Sequence, residues 1–172
     1  MNVLETIARR ESIRSYDPER PVDPKTLGRI LEAGRLAPSA CNRQPWEFIV
    51  VQSPEGLARV RPCYSRSWFQ DAPQVLAVAG FRDQAWVRVR DGFNSLETDL
   101  AIAMDHLILA AEHEGVATCW IAAFDPVPLR EALGLSKHQQ IFAITPLGYP
   151  RTDFQREGVK QRKALAEIVR YL

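Results

Sequence analysis

Apolar positions along the chain switch between a period near 3.6 and short continuous runs, and the switching predicts helices alternating with strands. Leu27, Ile30, Leu31 and Ala33 recur at helical spacing behind Asp23-Pro24, a capping side chain followed by proline at the first helical position. This predicts a helix to about Arg35, because Pro38 bars its continuation. Ser53-Pro54 and Asp125-Pro126 repeat the same start and predict two further helices. Phe48–Val51, Val75–Ala79, Ala117–Ala122 and Ile141–Ile144 are short, β-branched or aromatic runs between turn residues, and they read as strands.

The segment Leu96–Ala111 is expected to be a helix of a different kind. Apolar residues fill 100–104 and 107–111, which is too wide for one buried stripe, so more than one side must be covered. Either its own domain wraps it, or it lies at a subunit interface; on a chain this small a two-fold dimer is the favoured reading. The polar stretch 151–163 is expected to be extended. With no internal repeat and no linker, a single domain over 1–172 is expected.

Composition narrows the function classes. Lys and Arg number 22 against 21 Asp and Glu, a net charge of +1, so no global field draws nucleic acid or an anionic membrane. No apolar run approaches the ~20 residues of a membrane span, and 1–12 lacks the order of a signal peptide, so the expected location is cytoplasmic. Cys41, Cys63 and Cys119 are an odd, unpaired set, expected to be free thiols. His106 and His113 are spaced to share a helix face but have no matching ligand set, so no metal site is expected.

Three segments carry candidate chemistry. Arg10, Ser12 and Arg14 alternate, so an extended backbone points two guanidinium forks and a hydroxyl the same way, toward a phosphate or a ring carbonyl. Lys160 and Arg162 repeat the device near the other end. Taken alone, each pattern is more commonly a solvated charged surface, and it gains force only if the two ends converge on one ligand. The loop Ala37-Pro38-Ser39-Ala40-Cys41-Asn42-Arg43-Gln44-Pro45-Trp46 is stiff and rich in donors and acceptors. It suits a polar ligand, although Asn42 and Gln44 could equally serve local backbone groups and Trp46 the core.

Taken in order, these segments resemble the nitroreductase family of flavin mononucleotide (FMN)-dependent oxidoreductases. The shared marks are R-x-S-x-R at Arg10–Arg14, APSxxNxQPW at 37–46, the apolar helix leading into Cys119-Trp120-Ile121, the turn Gly148-Tyr149-Pro150, and K-x-R at 160–162. The resemblance implies an α+β fold, a central mixed β-sheet flanked by helices in a three-layer sandwich. It also implies a homodimer with FMN at the interface. Arg10, Ser12, Lys160 and Arg162 would hold the FMN phosphate, and Arg14 would sit near the flavin pyrimidine. Pro38, Ser39, Ala40 and Asn42 would come from the partner subunit, with Gln44 near the flavin edge. Trp120, Ile121, Ala122 and Ala123 would pass along the ring, with a backbone N–H near Ala123 toward flavin N5.

Two departures stand out. Many members have Glu-Gly where this chain has Ala122-Ala123, and Ser65 and Arg66 replace an Asn and a Lys that many supply to the flavin.

Because flavin carries the redox chemistry, no catalytic side chain is required, and Arg14 is the candidate stabiliser of charge at N1 and C2=O. A cation about 4 Å away would contribute about 4 kcal/mol at an effective dielectric near 20. No G-x-G-x-x-G follows a predicted strand, so NAD(P)H is expected to use the open flavin face. A small electron-poor acceptor, nitroaromatic or quinone, would follow it in ping-pong order. The segment 82–94, with Trp86, Arg88, Arg90 and Phe93, reads either as a pocket cover or as a surface helix. Relatives with dehalogenase, azoline oxidase or flavin-fragmentation chemistry define one alternative, and a flavin-storing or sensing protein without turnover another.

Overall fold

The computed structural model describes every residue except Met1, Glu157 and Val159, and the expectation for the tail at the last two lies outside the described residues. At the amino terminus, a helix that the apolar pattern did not announce, α1 (Val3–Arg9), opens on a reciprocal cap: the Asn2 side chain accepts from the Glu5 N–H and Glu5 returns to the Asn2 N–H. An extended segment through Tyr16 follows, and then α2 (Pro24–Arg35), where Asp23 accepts from the N–H groups of Lys25 and Thr26. The chain continues through β1 (Trp46–Val51), α3 (Pro54–Val60), a short α4 (Ser67–Gln70) and β2 (Gln74–Phe81). It ends with α5 (Leu96–His113), α6 (Pro126–Leu133), β3 (Gln139–Leu147) and one turn of helix, α7 (Leu165–Ile168). All three cap-plus-proline starts therefore open helices where the sequence placed them.

The strands lie in the order β1-β2-β3, and both ladders are antiparallel. No parallel pairing, the other component of a mixed sheet, occurs among the described residues. β2 is central and buried along most of its length, which is why it reads as an unbroken apolar run rather than an alternation. Its Leu76 and Val78 pack with α2 and α5, while Val75 and Ala77 point to the opposite face and pack with Leu57, Val60 and Leu129 of α3 and α6. Helices thus cover both faces of the sheet, giving three layers.

The strand expected at Ala117–Ala122 is reduced to two bridges, Ala117 to Gly148 and Ile121 to Ile144, in one register. The cause is Pro146, which stands opposite Cys119 and has no N–H to donate. The Thr145 hydroxyl fills the gap, accepting from the Cys119 N–H at 3.0 Å and donating to the Pro146 carbonyl at 3.0 Å.

Helix α5 is the hub. Leu96, Leu100, Ala103, Met104, Leu107, Ile108 and Ala111 are buried against α2 and the sheet. Gly34 lets α2 approach closely, since a Cβ there would meet Leu107 at 2.7 Å. Much of the apolar width is therefore wrapped by the chain itself. Leu109 and Ala110 remain half-buried and line an open concavity of about 430 Å³ with Val3, Leu36, His106 and His113. No described helix is long and apolar enough to cross a membrane.

Candidate functional site

The structure brings the two ends of the chain together. The segment carrying Arg10, Ser12 and Arg14 is extended, anchored by the Ile13 N–H donating to the Thr118 carbonyl. Ile13 is buried, and Arg10, Ser12 and Arg14 are at least partly exposed. The Lys160 ammonium donates to the carbonyls of Arg10 and Ile7, across 150 residues of sequence in the first case. Arg10 and Arg162 stand close enough to lower the Lys160 pKa, after burial, which is the larger cause. Three cations crowded at one place repel one another, and an anion placed among them relieves that repulsion.

Arg14 and Ser12 also surround the Cys119 thiol. Burial raises that thiol's pKa, while the Arg14 charge and hydrogen bonds from Ser12 and Arg14 pull it down. Beneath them Tyr16 is fully buried and donates to the Ile13 carbonyl at 2.9 Å; burial is the main cause of its raised pKa.

The loop behaves differently. Ala40–Asn42 form a single 3₁₀ turn, and Cys41, Asn42 and Gln44 all have positive φ, at 50°, 54° and 49°. Left-handed conformations at three non-glycine residues cost free energy and persist only where the surroundings over-determine them. Here the Ser39 hydroxyl accepts from the Gln44 N–H at 2.9 Å, and the Gln44 amide donates to both the carbonyl and the side chain of Asn42. Asp99, 2% exposed in the first turns of α5, accepts from the Ala40 N–H at 2.9 Å and from the Ser95 hydroxyl at 2.8 Å. The Pro45 carbonyl accepts from the Phe81 N–H and lies so close to β2 that a Cβ on Gly80 would meet it at 2.5 Å. The outer rim of Pro38, Asn42 and Gln44 stays exposed, and Ser39 and Ala40 are half-buried. Trp46 packs on the core and stacks with Phe48, as expected of a packing residue.

Within this one chain the loop and the cations are not brought together. They attach to opposite ends of α5, the loop at Asp99 and the tail at Glu112, thirteen helical residues or about 20 Å apart at 1.5 Å per residue. Trp120 is half-buried and packs edge-on against Phe142, Ile121 is buried, and Ala122 and Ala123 are exposed. Ser65 and Arg66 are exposed just ahead of α4. The 82–94 segment is not a helix: Val87 bridges to Asn94, Arg88 pairs with Asp91 at 2.7 Å, and turns fill the rest. Gly92 at φ 73° closes that loop.

Sequence reasoning missed two residues that organise the site, Asp99 and Glu112. Their signal was a carboxylate set among apolar positions of α5, where a solvated acid is out of place.

A helix-covered antiparallel sheet, with cations gathered near one end of α5 and a pinned polar loop at the other, defines an α+β protein. More narrowly, the chain belongs to the nitroreductase family, whose model matches residues 7–65 and 58–149. A nitroreductase family protein of Clostridium difficile superposes with a TM-score of 0.90 at 33% identity, over 99% of this chain and 98% of that one. A Thermus thermophilus protein named NADH dehydrogenase is 30% identical over 172 residues, covering 83% of each chain. A nitroreductase-type structure from Desulfovibrio desulfuricans, solved in complex with FMN, matches 98% of this chain and 95% of that one at 26% identity with a TM-score of 0.81.

Proposed function

We propose that this chain is an FMN-dependent NAD(P)H oxidoreductase that works as a homodimer and reduces a small electron-poor acceptor such as a nitroaromatic or a quinone. The observation that supports this reading is the Lys160 ammonium at the Arg10 backbone carbonyl, which brings the two charge patterns together where a phosphate dianion would be held. FMN would supply the redox chemistry, accepting two electrons from the nicotinamide and passing them on.

The protein's part is to bind and orient. Arg10, Ser12, Lys160 and Arg162 would hold the phosphate, and Arg14, on the same side of the segment, would offset negative charge on the pyrimidine. Exposed Ala122 and Ala123, with their small side chains, would leave the region over the ring uncrowded, so nicotinamide and acceptor would occupy one space in turn. Ping-pong kinetics follow from that shared space.

The dimer answers a geometric need: the amide-rich loop lies at the wrong end of α5 to reach the same chain's cations, and a second copy would supply it. Exposed apolar surface supports association. Val3 and Leu36 are 73% and 63% exposed at the concavity beside α5, and Leu4 of α1 and Leu165, Ile168 and Tyr171 of the tail are similarly uncovered.

The test is an anaerobic titration of the purified protein with NADH or NADPH, with the mass in solution measured alongside. Bound yellow chromophore that bleaches, on a particle of twice the chain's mass, is the expected result. A protein that takes up no FMN overturns the reading, and bound flavin that will not bleach overturns the nicotinamide half of it.

A further inference from the structure

Four residues before Lys160, Arg156 makes a set of contacts that the phosphate-site reading does not use. Its Nη2 pairs with Glu112 Oε1 at 2.9 Å. Its Nη1 reaches the Arg9 carbonyl at 3.1 Å, Glu11 Oε1 at 3.3 Å and Glu112 Oε2 at 3.4 Å. Arg9 Nε also pairs with Glu112 Oε1 at 2.9 Å. One guanidinium thus ties the tail to the end of α5 and to the segment that enters Arg10.

Glu112 is an unexpected residue to find there. Its side chain is 3% exposed, and it occupies the last turn of α5, where the helix carbonyls already make the potential negative. The contacts at Oε1 are ion pairs without hydrogen-bond alignment. A buried carboxylate at a helix carboxyl terminus is retained only when cations pair with it, and both of its cations belong to the segments that carry the phosphate-site residues.

We propose that Arg156 is a positioning residue for recognition of the flavin's phosphate monoester: latched to Glu112, Glu11 and the Arg9 carbonyl, it sets the tail so that Lys160 and Arg162 stand beside Arg10. The latch rests on the phosphate-site reading above. It explains how a polar tail with little apolar burial of its own holds two cations in place. Arg156 does this through the number and direction of its donors, so a lysine, with the same charge but no planar fork, is a poor substitute.

The test compares the affinity of apoprotein for FMN and for riboflavin, which differ by the phosphate alone, in wild type, Arg156→Met and Arg156→Lys. Hydrogen exchange of the amides at 160–163 is read alongside. The expected result is that Arg156→Met loses roughly tenfold of the preference for FMN, in line with the low end of one charge-assisted bond. Riboflavin affinity should hold, 160–163 should exchange faster, and Arg156→Lys should recover only a minor part. Should Arg156→Met fold poorly with Glu112 half-paired, the double variant Arg156→Met/Glu112→Met removes the charges together and must show the same loss.

A folded variant with wild-type preference overturns the latch. So does full rescue by lysine with unchanged exchange, which would make Arg156 a source of field only. If wild type itself binds FMN and riboflavin equally, the phosphate site is what fails.

Discussion

The two ends of α5 solve the same problem, holding polar groups ready for a ligand, by opposite means. At the carboxyl-terminal end, side chains from distant segments are locked by charge: Arg9, Glu11, Glu112, Arg156 and Lys160 tie the first dozen residues to the tail. At the amino-terminal end, one continuous loop is locked by backbone geometry, with three left-handed residues held by the Asp99 carboxylate and by close approach to Gly80. The difference teaches where each end is vulnerable. The charge-locked end should lose ligand before it loses stability when its phosphate-site cations are changed, because Arg10, Lys160 and Arg162 are partly exposed and water can replace their partners, whereas Glu112, which anchors them, is as buried as Asp99. The backbone-locked end should lose stability first, because its key acceptor is buried and nothing replaces it.

The largest expected effect is at Asp99. Asp99→Ala leaves the Ala40 N–H and the Ser95 hydroxyl without their partner and removes what offsets the strained loop. The expected cost is about 2–4 kcal/mol, from two hydrogen bonds to a charged acceptor. Urea denaturation measures it, and Asp99→Asn, which keeps an acceptor oxygen, should recover at least half. A loss under ~1 kcal/mol would mean that the loop holds itself.

At the other end, Arg10→Ala and Arg162→Ala should each cost about 1.5–3 kcal/mol of FMN affinity while leaving the urea midpoint nearly unchanged. If both variants retained wild-type FMN affinity, the cation cluster would have no part in holding the phosphate. Gly80→Ala is intermediate in kind. Its methyl would press on the Pro45 carbonyl, Leu96 and Leu100, so the loop base must shift, for an expected loss of about 1–3 kcal/mol in stability. Wild-type stability in this variant would show that the base of the loop is not tightly fixed.

Legibility in the sequence divides along the same line. The capped helices, the β2 run and the α5 hub are local patterns, and each lies where periodicity and proline placed it. Arg10, Ser12, Lys160 and Arg162 are visible as residue types, yet their meeting depends on a fold that closes across 150 residues. The left-handed residues 41, 42 and 44 have no glycine to announce them, because Ser39 and Asp99 supply from elsewhere what a glycine would supply by lacking a Cβ. The segment 117–122 has strand composition, but what breaks its pairing is Pro146 on the neighbouring strand, a dependence that reading one segment at a time does not reveal. The apolar width of α5 suggests an interface along the sequence. α2 and the sheet cover part of it, while Ala101, Ile102, Leu109 and Ala110 stay half-buried, the last two beside the concavity.

The gentlest test changes no residue, because each end carries its own thiol. Cys41 sits exposed in the backbone-locked loop, while Cys119 is 4% exposed beneath Ser12 and Arg14. Cys63 lies in the core away from both, and burial first, then the Asp125 charge, pushes its pKa up from 9.0 to about 11. Near neutral pH such a thiol carries roughly a hundredth of the thiolate of an ordinary cysteine, and the thiolate is the reacting species. A disulfide reagent at pH 8 should therefore modify one thiol quickly, Cys41, with the other two reacting only as the protein opens. Urea below the unfolding midpoint then separates the ends. If the cation end loosens first, Cys119 should gain reactivity before Cys63 does, and added FMN should suppress that gain. Equal rates for Cys119 and Cys63 at every urea concentration would show that the charge-locked end opens only with the core, and the proposed difference in vulnerability between the two ends would be lost.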